Sequence, residues 1–238
     1  MMRKSLKGSA RRLQRRENKM PSSEISIFDE SGTTFKSADT GSTSKEESVP
    51  VVTDADATYD TSNNKVRAYS FTKPTNFPIH ARGNASVSEV IYPEGSLSET
   101  YERYAEFTIS GEFRSRIAAY GSASASYDVE LFLVDATNKE EIDRKTVASR
   151  NANFAQFSDI DDESFEDSVS GTLQQYTEYR VGLEIKTFAA NRTLPTAPTP
   201  FASGINMHEG NSSPFDSFEG YAEWDSIDLD WVGEAEKI

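Results

Sequence analysis

Two histidines and a large excess of carboxylates are the residues with which this chain could do proton or metal chemistry. His80 stands in "FPIHARG" and His208 in "NMHEGNS", and neither belongs to a spaced ligand pair such as HExxH. No GxSxG nucleophile motif and no glycine-rich phosphate loop occurs. Both histidines therefore read as ordinary loop residues. Carboxylates cluster in "TDADATYD" (53–60) and "SDIDDES" (158–164). A glycosidase needs two carboxyls about 5 to 9 Å apart, one of them kept protonated by burial. Here the acids fall mostly on solvent faces and turns. Asp159, Asp161 and Asp162 are candidate calcium ligands, since calcium takes several carboxylate and carbonyl oxygens. Their segment lacks the glycine and closing glutamate of an EF-hand loop. The expectation is a chain without catalytic residues or a cofactor, and not an enzyme, with calcium as the one ion these residues could hold.

Aromatic side chains offer a different chemistry, because an exposed ring can serve as a platform for a sugar. Phe188 and Tyr221 fall on the outward phase of their segments, whereas Trp224 and Trp231 fall on the apolar phase and read as core. Three Asn-x-Ser/Thr sequons occur, at Asn84, Asn191 and Asn211. There is no cysteine, so disulfides and thiolate metal sites are excluded.

The elements that position these residues are strands. From about residue 65 the apolar period is two. In "YAEFTISGEF" the inward set is Ala105, Phe107, Ile109, Gly111 and Phe113; "YDVELFLVD" repeats it with Tyr127, Val129, Leu131 and Leu133. "FEDSVSGTL" supplies Phe165, Val169 and Leu173, and "YRVGLEIKTFA" supplies Tyr179, Val181, Leu183 and Ile185. Segments 66–72, 85–92 and "IDRKTVAS" add three more. In "FEGYAEWDSIDLDW" the apolar phase changes between Trp224 and Ile227, which predicts a bulge near Asp225–Ser226. About eight short strands with no helix between them predict an all-β, antiparallel sandwich, a jelly roll or an immunoglobulin-like Greek key.

One short motif narrows that class. Leu173, Thr177, Tyr179 and Val181 in "LQQYTEYRV" have the spacing of the tyrosine corner, and the segment resembles fibronectin type III and related immunoglobulin-like domains. The resemblance implies that the Tyr179 hydroxyl ties a loop back onto the backbone. Gln175 and Tyr176 stand where those domains have Pro and Gly. Residues 189–217, with "LPTAPTP" and "HEGNSSPFD", read as a long surface loop and a contact element.

The first 64 residues differ from the rest. Residues 1–20 hold eight basic residues and one acid, and Met2, Leu6, Leu13 and Met20 approach one helical stripe that Pro21 ends. This stretch reads as a basic arm, a short helix or disordered. Residues 21–64 are rich in Ser, Thr and Asp and read as an extended linker arm, with strand character at 24–29 and 49–54. The sandwich domain is expected over 65–238. The whole chain carries a formal charge of −14, but without the first twenty residues it carries 17 basic and 38 acidic residues, a net −21. Such a body argues against nucleic-acid binding by the folded part. Its sparse lysine and dominant carboxylates resemble the surfaces of halophilic archaeal proteins. No run of 18 apolar residues predicts a membrane-spanning helix, and no apolar region follows the basic start as in a signal peptide.

A basic arm on an acidic sandwich suits an acidic groove on a protein partner. Arg11, Arg12, Leu13, Arg15 and Arg16 are its candidate contact residues. Acidic composition, sandwich pattern and arm together resemble accessory structural proteins of haloarchaeal viruses, such as capsid decoration, turret and tail-associated proteins. That resemblance implies a virion location, with residues 1–64 holding a capsid or tail protein or sister subunits. The alternative is a carbohydrate-binding or host-adhesion module.

Overall fold

The computed structural model describes residues 23–73, 75, 77–95, 99–119, 123–153, 159–191, 203–207 and 218–238. Thirteen strands occur among them: β1 (Ser23–Ser26), β2 (Thr33–Phe35), β3 (Thr40–Glu47), β4 (Thr53–Asp60), β5 (Lys65–Thr72), β6 (Ile79–Glu94), β7 (Tyr101–Ala119), β8 (Ala123–Asp135), β9 (Glu140–Asn153), β10 (Asp159–Gln174), β11 (Tyr179–Asn191), β12 (Ser203–Met207) and β13 (Tyr221–Lys237). No helix among the described residues is long and apolar enough to cross a membrane.

The strands form two sheets. The front sheet runs β1–β6–β11–β8–β9, with β3 also on β6. The back sheet is built on β7, which pairs with β10 on one side and with β12 and β13 on the other; β5, β2 and β4 extend it. The pairing of β1 with β6 is parallel and the other described pairings are antiparallel. Among the described strands only β4–β5 and β8–β9 are hairpins of consecutive strands. The other connections change sheet or skip a neighbour, as in a Greek-key sandwich.

The alternating apolar residues meet between the sheets. Phe107, Ile109, Leu131, Leu133, Leu183, Ile185 and Trp224 are buried together in one core. The phase change in β13 is a bulge between Trp224 and Ser226, which keeps Trp224, Ile227 and Leu229 all inward. Tyr179 closes one end: its hydroxyl oxygen accepts the Gln174 backbone N–H at 2.7 Å. Tyr176 beside it has a φ of 64°, a left-handed conformation that favours glycine.

The β9 and β10 edges are laced together by side chains. Arg150 pairs with Asp161, Lys145 lies 3.2 Å from Asp167, and Asp143 accepts the Ser170 N–H at 2.9 Å. At the other side Asn64 joins distant segments. Its side chain accepts the Ala38 N–H at 2.7 Å and donates to the carbonyls of Lys36 and Trp224.

Two segments differ from their sequence reading. Residues 23–64, expected as a linker arm, contribute β1 to β4 to the two sheets and place Ile25, Ile27, Phe35 and Ala55 in buried positions. Pairing with β6, β13 and β5 supplies the order that their composition alone does not. Within 189–217, expected as a surface loop, β12 is a strand between β5 and β7. The basic arm 1–20 lies outside the described residues.

Candidate functional site

Strand register fixes the outward face of the front sheet. Thr40, Ser88, Gly182, Phe132 and Arg144 lie side by side on β3, β6, β11, β8 and β9. Two residues along, the row is Ser42, Ser86, Glu184, Glu130 and Thr146. The row centred on Phe188 places Glu46, Arg82, Phe188, Ser126 and Asn151 together. Gly182 is required by proximity, since a Cβ there would lie 2.1 Å from the Val87 carbonyl oxygen.

Ion pairs organise the centre of this face. Arg144 bonds Glu130, Glu141 and Glu184 at 2.6 to 2.8 Å, and the Lys186 ammonium bonds Glu130 at 2.5 Å. Burial works against the Glu130 carboxylate, yet Lys186 and Arg144 hold its carboxyl below the usual carboxylate range. The same carboxylates hold the Arg144 guanidinium charged against its burial.

Phe188 stands on this face with the Arg82 guanidinium 5.2 Å from its ring centroid and the His80 ring 6.4 Å away. His80 lies in β6 rather than in a loop, with Nε2 3.1 Å from Glu46. Tyr221 lies on the opposite sheet. Its ring is covered by Lys65 Nζ at 4.0 Å and its hydroxyl donates to Glu112, so Phe188 and Tyr221 form no common platform. Trp224 is buried, and Trp231 packs on the core under Arg103.

The calcium candidates are divided by strand alternation. Asp161 points to the Arg150 and Tyr127 side of β10, and Asp162 points to the other face, 3.4 Å from Arg114. Asp161 and Asp162, on opposite faces, do not close on one ion together, and the Asp159 side chain lies outside the described ones. Among the described residues no group of three or more acidic or histidine side chains is placed to hold a metal. Asn84 lies on the front face and bonds Ser44, whereas Asn191 is 1% exposed and closed to glycosylation in this fold. Arg11, Arg12, Leu13, Arg15, Arg16, His208 and Asn211 lie outside the described residues.

A carboxyl pair, Glu89 buried and Asp39 half-buried, sits where β1 meets β6. The Ser23 hydroxyl donates to Glu89, which is 3% exposed, and Asp39 hydrogen-bonds Glu89 and accepts the Val90 N–H at 3.2 Å. Burial and the neighbouring Asp39 push the Glu89 carboxyl up to about 7, and burial also raises Asp39. Its sequence signal was an acid on the inward phase of β6.

The front-face groups missed by sequence reading are Phe132, Arg82, Arg144 and Arg180. Phe132 had a signal, as a large apolar residue on the outward phase of "YDVELFLVD".

No family model and no curated protein matches the chain. Among solved structures, it is similar to the CBM22-1–GH10 modules of a Clostridium thermocellum endo-1,4-β-D-xylanase complexed with xylohexaose. That match has 12% identity over 79% of this chain and 26% of the other, at a TM-score of 0.18. Infectious bursal disease virus structures also match: the Gt strain at 7% identity, covering 87% and 45% of the two chains with a TM-score of 0.23, and the Gx strain at 10%, 84%, 44% and 0.22. The chain spans less than half of each, and overlaps this low carry no argument about function.

Proposed function

We propose that the chain is a non-enzymatic structural protein of a virus particle, in which the basic N-terminal segment anchors an acidic β-sandwich to a capsid or tail protein or to sister subunits. The observation that carries this reading is the separation of charge along the chain. The first twenty residues hold eight bases against one acid, while residues 21–238 sum to −21. Opposite charge on two parts of one molecule favours contact between copies or with an acidic neighbour. The segment joins the sandwich through Ser23, which pairs beside Ile91 in the front sheet. The acidic composition fits a halophilic host.

Light scattering on the full chain at low and at molar salt tests the reading. Wild-type protein is expected to form a defined oligomer at low salt, or to join one with its partner, and that assembly should loosen toward molar salt as the charges are screened. Changing Arg11, Arg12, Arg15 and Arg16 together to glutamate should abolish assembly while leaving the thermal melt unchanged. Assembly that persists in this variant overturns the anchoring role.

A further inference from the structure

We propose that the outward face of the front sheet binds a neutral polysaccharide laid along its strands. The site lies on the sandwich itself and is independent of the anchoring segment.

Two recesses follow one another along β8 and β11. The first, of about 200 Å³, is lined by Thr40, Ser42, Ser88, Phe132, Arg144 and Arg180 among others. The second, of about 310 Å³, is lined by Arg82, Asn84, Ser126, Asp128, Lys186 and Phe188 with Thr187. Each repeats the same set: a phenyl ring, an arginine over that ring, and a wall of short hydroxyl or amide side chains. Arg144 stands 5.8 Å from the Phe132 centroid and Arg82 stands 5.2 Å from that of Phe188.

The register gives their spacing. Phe132 is level with Gly182 and Phe188 lies six residues further along β11, which corresponds to about 20 Å of strand. A set recurring along a straight line suits a ligand whose own units recur. Phe132 is 8% exposed under Arg144, so the half-buried Phe188 is the ring whose free edge can meet the C–H groups of a sugar, while fixed polar groups meet its hydroxyls.

Charge selects the ligand class. Along the groove Arg82, Arg144, Arg180 and Lys186 stand with Glu46, Asp128, Glu130, Glu141, Glu178 and Glu184, so its cations are already paired and carboxylates are in excess. The mutual ion pairs hold donors and acceptors in place before any ligand arrives, and favour an uncharged, hydroxyl-rich chain over a polyanion. Arg180 lines the first recess and its guanidinium lies 3.5 Å from Glu178.

Affinity electrophoresis of the full chain tests this, in gels containing dextran, hydroxyethylcellulose or galactomannan, with alginate as the anionic control. At least one neutral polymer should retard the protein. Phe188→Ala should weaken that retardation at least tenfold. Ser42→Tyr, which fills the first recess from an exposed position, should do likewise with an unchanged thermal melt. Retardation by none of the neutral polymers, by alginate alone, or equally in wild type and both variants overturns the proposal.

Discussion

Glu89 shows how one side chain can set the pH response of this fold. Its carboxyl titrates near the ordinary carboxylate value in the unfolded chain and at about 7 in the folded one, where burial and Asp39 disfavour the charge. The folded state therefore binds a proton that the unfolded state has lost. Stability is greatest below the ordinary value, falls as pH rises from about 4.5 to 7, and levels off above. Glu89→Gln should remove that part of the slope and raise stability at pH 8 by about 2 kcal/mol. Denaturant titrations of both proteins from pH 5 to 8 check this through their difference, which cancels the carboxylates not coupled to Glu89 and leaves Glu89 with its neighbour Asp39. A constant difference across that range would remove Glu89 as the source. Tyr176 shows what a local motif leaves out: the tyrosine-corner spacing is visible in the sequence, but a tyrosine held at positive φ is not, because its hydroxyl is tied to the distant Gly95 carbonyl at 3.0 Å.

At the scale of elements, the period-two strands were legible because each has one face in the core. Phe107 and Ile109 in β7, or Leu183 and Ile185 in β11, announce themselves by alternation. The shift between Trp224 and Ile227 announced the β13 bulge for the same reason. β3 offered no such signal: "TGSTSKEE" is a sheet-edge strand whose residues are mostly exposed. Its inward Gly41 gives way to the Tyr59 ring, which a Cβ would meet at 2.4 Å. β12 is short and its order comes from two neighbours, β5 and β7, that no local pattern names. The front-face recesses depend on register across five strands, which a single sequence does not contain. A consequence concerns truncation. A chain beginning at Ser23 should keep the thermal melt of the full protein. One beginning at residue 65 should lose cooperative unfolding, because it discards Ile25, Ile27 and Phe35 and bares the edge of β6. Near-ultraviolet circular dichroism and thermal melts of the two distinguish these outcomes.

For the whole molecule the competing effects are general repulsion and local pairing. Thirty-nine acids face 25 bases, so the folded state brings like charges together over most of its surface. Against this stand exposed pairs such as Lys237–Glu99 and Arg82–Glu46, which solvent screens strongly. Salt at 1 M shortens the Debye length to about 3 Å and weakens both. Repulsion acts over longer distances and is screened first. The midpoint of thermal unfolding should therefore rise between about 0.05 and 1 M sodium chloride. A midpoint that falls would mean that the ion pairs on the front face and along the β9–β10 edges dominate.

The parallel contact between β1 and β6 bears on how this body would carry a mechanical load. Ser23 to Ser26 run alongside Ile91 to Glu94 in the same direction. A tension applied to the chain ahead of Ser23, along the strand axis, is shared by the whole β1–β6 ladder at once and does not open it bond by bond. The same tension applied across the sheet would peel β1 off from its first residue. Rupture under force is governed by the rate of unfolding and not by equilibrium stability, so the direction of pull decides how long the β1–β6 contact survives a load.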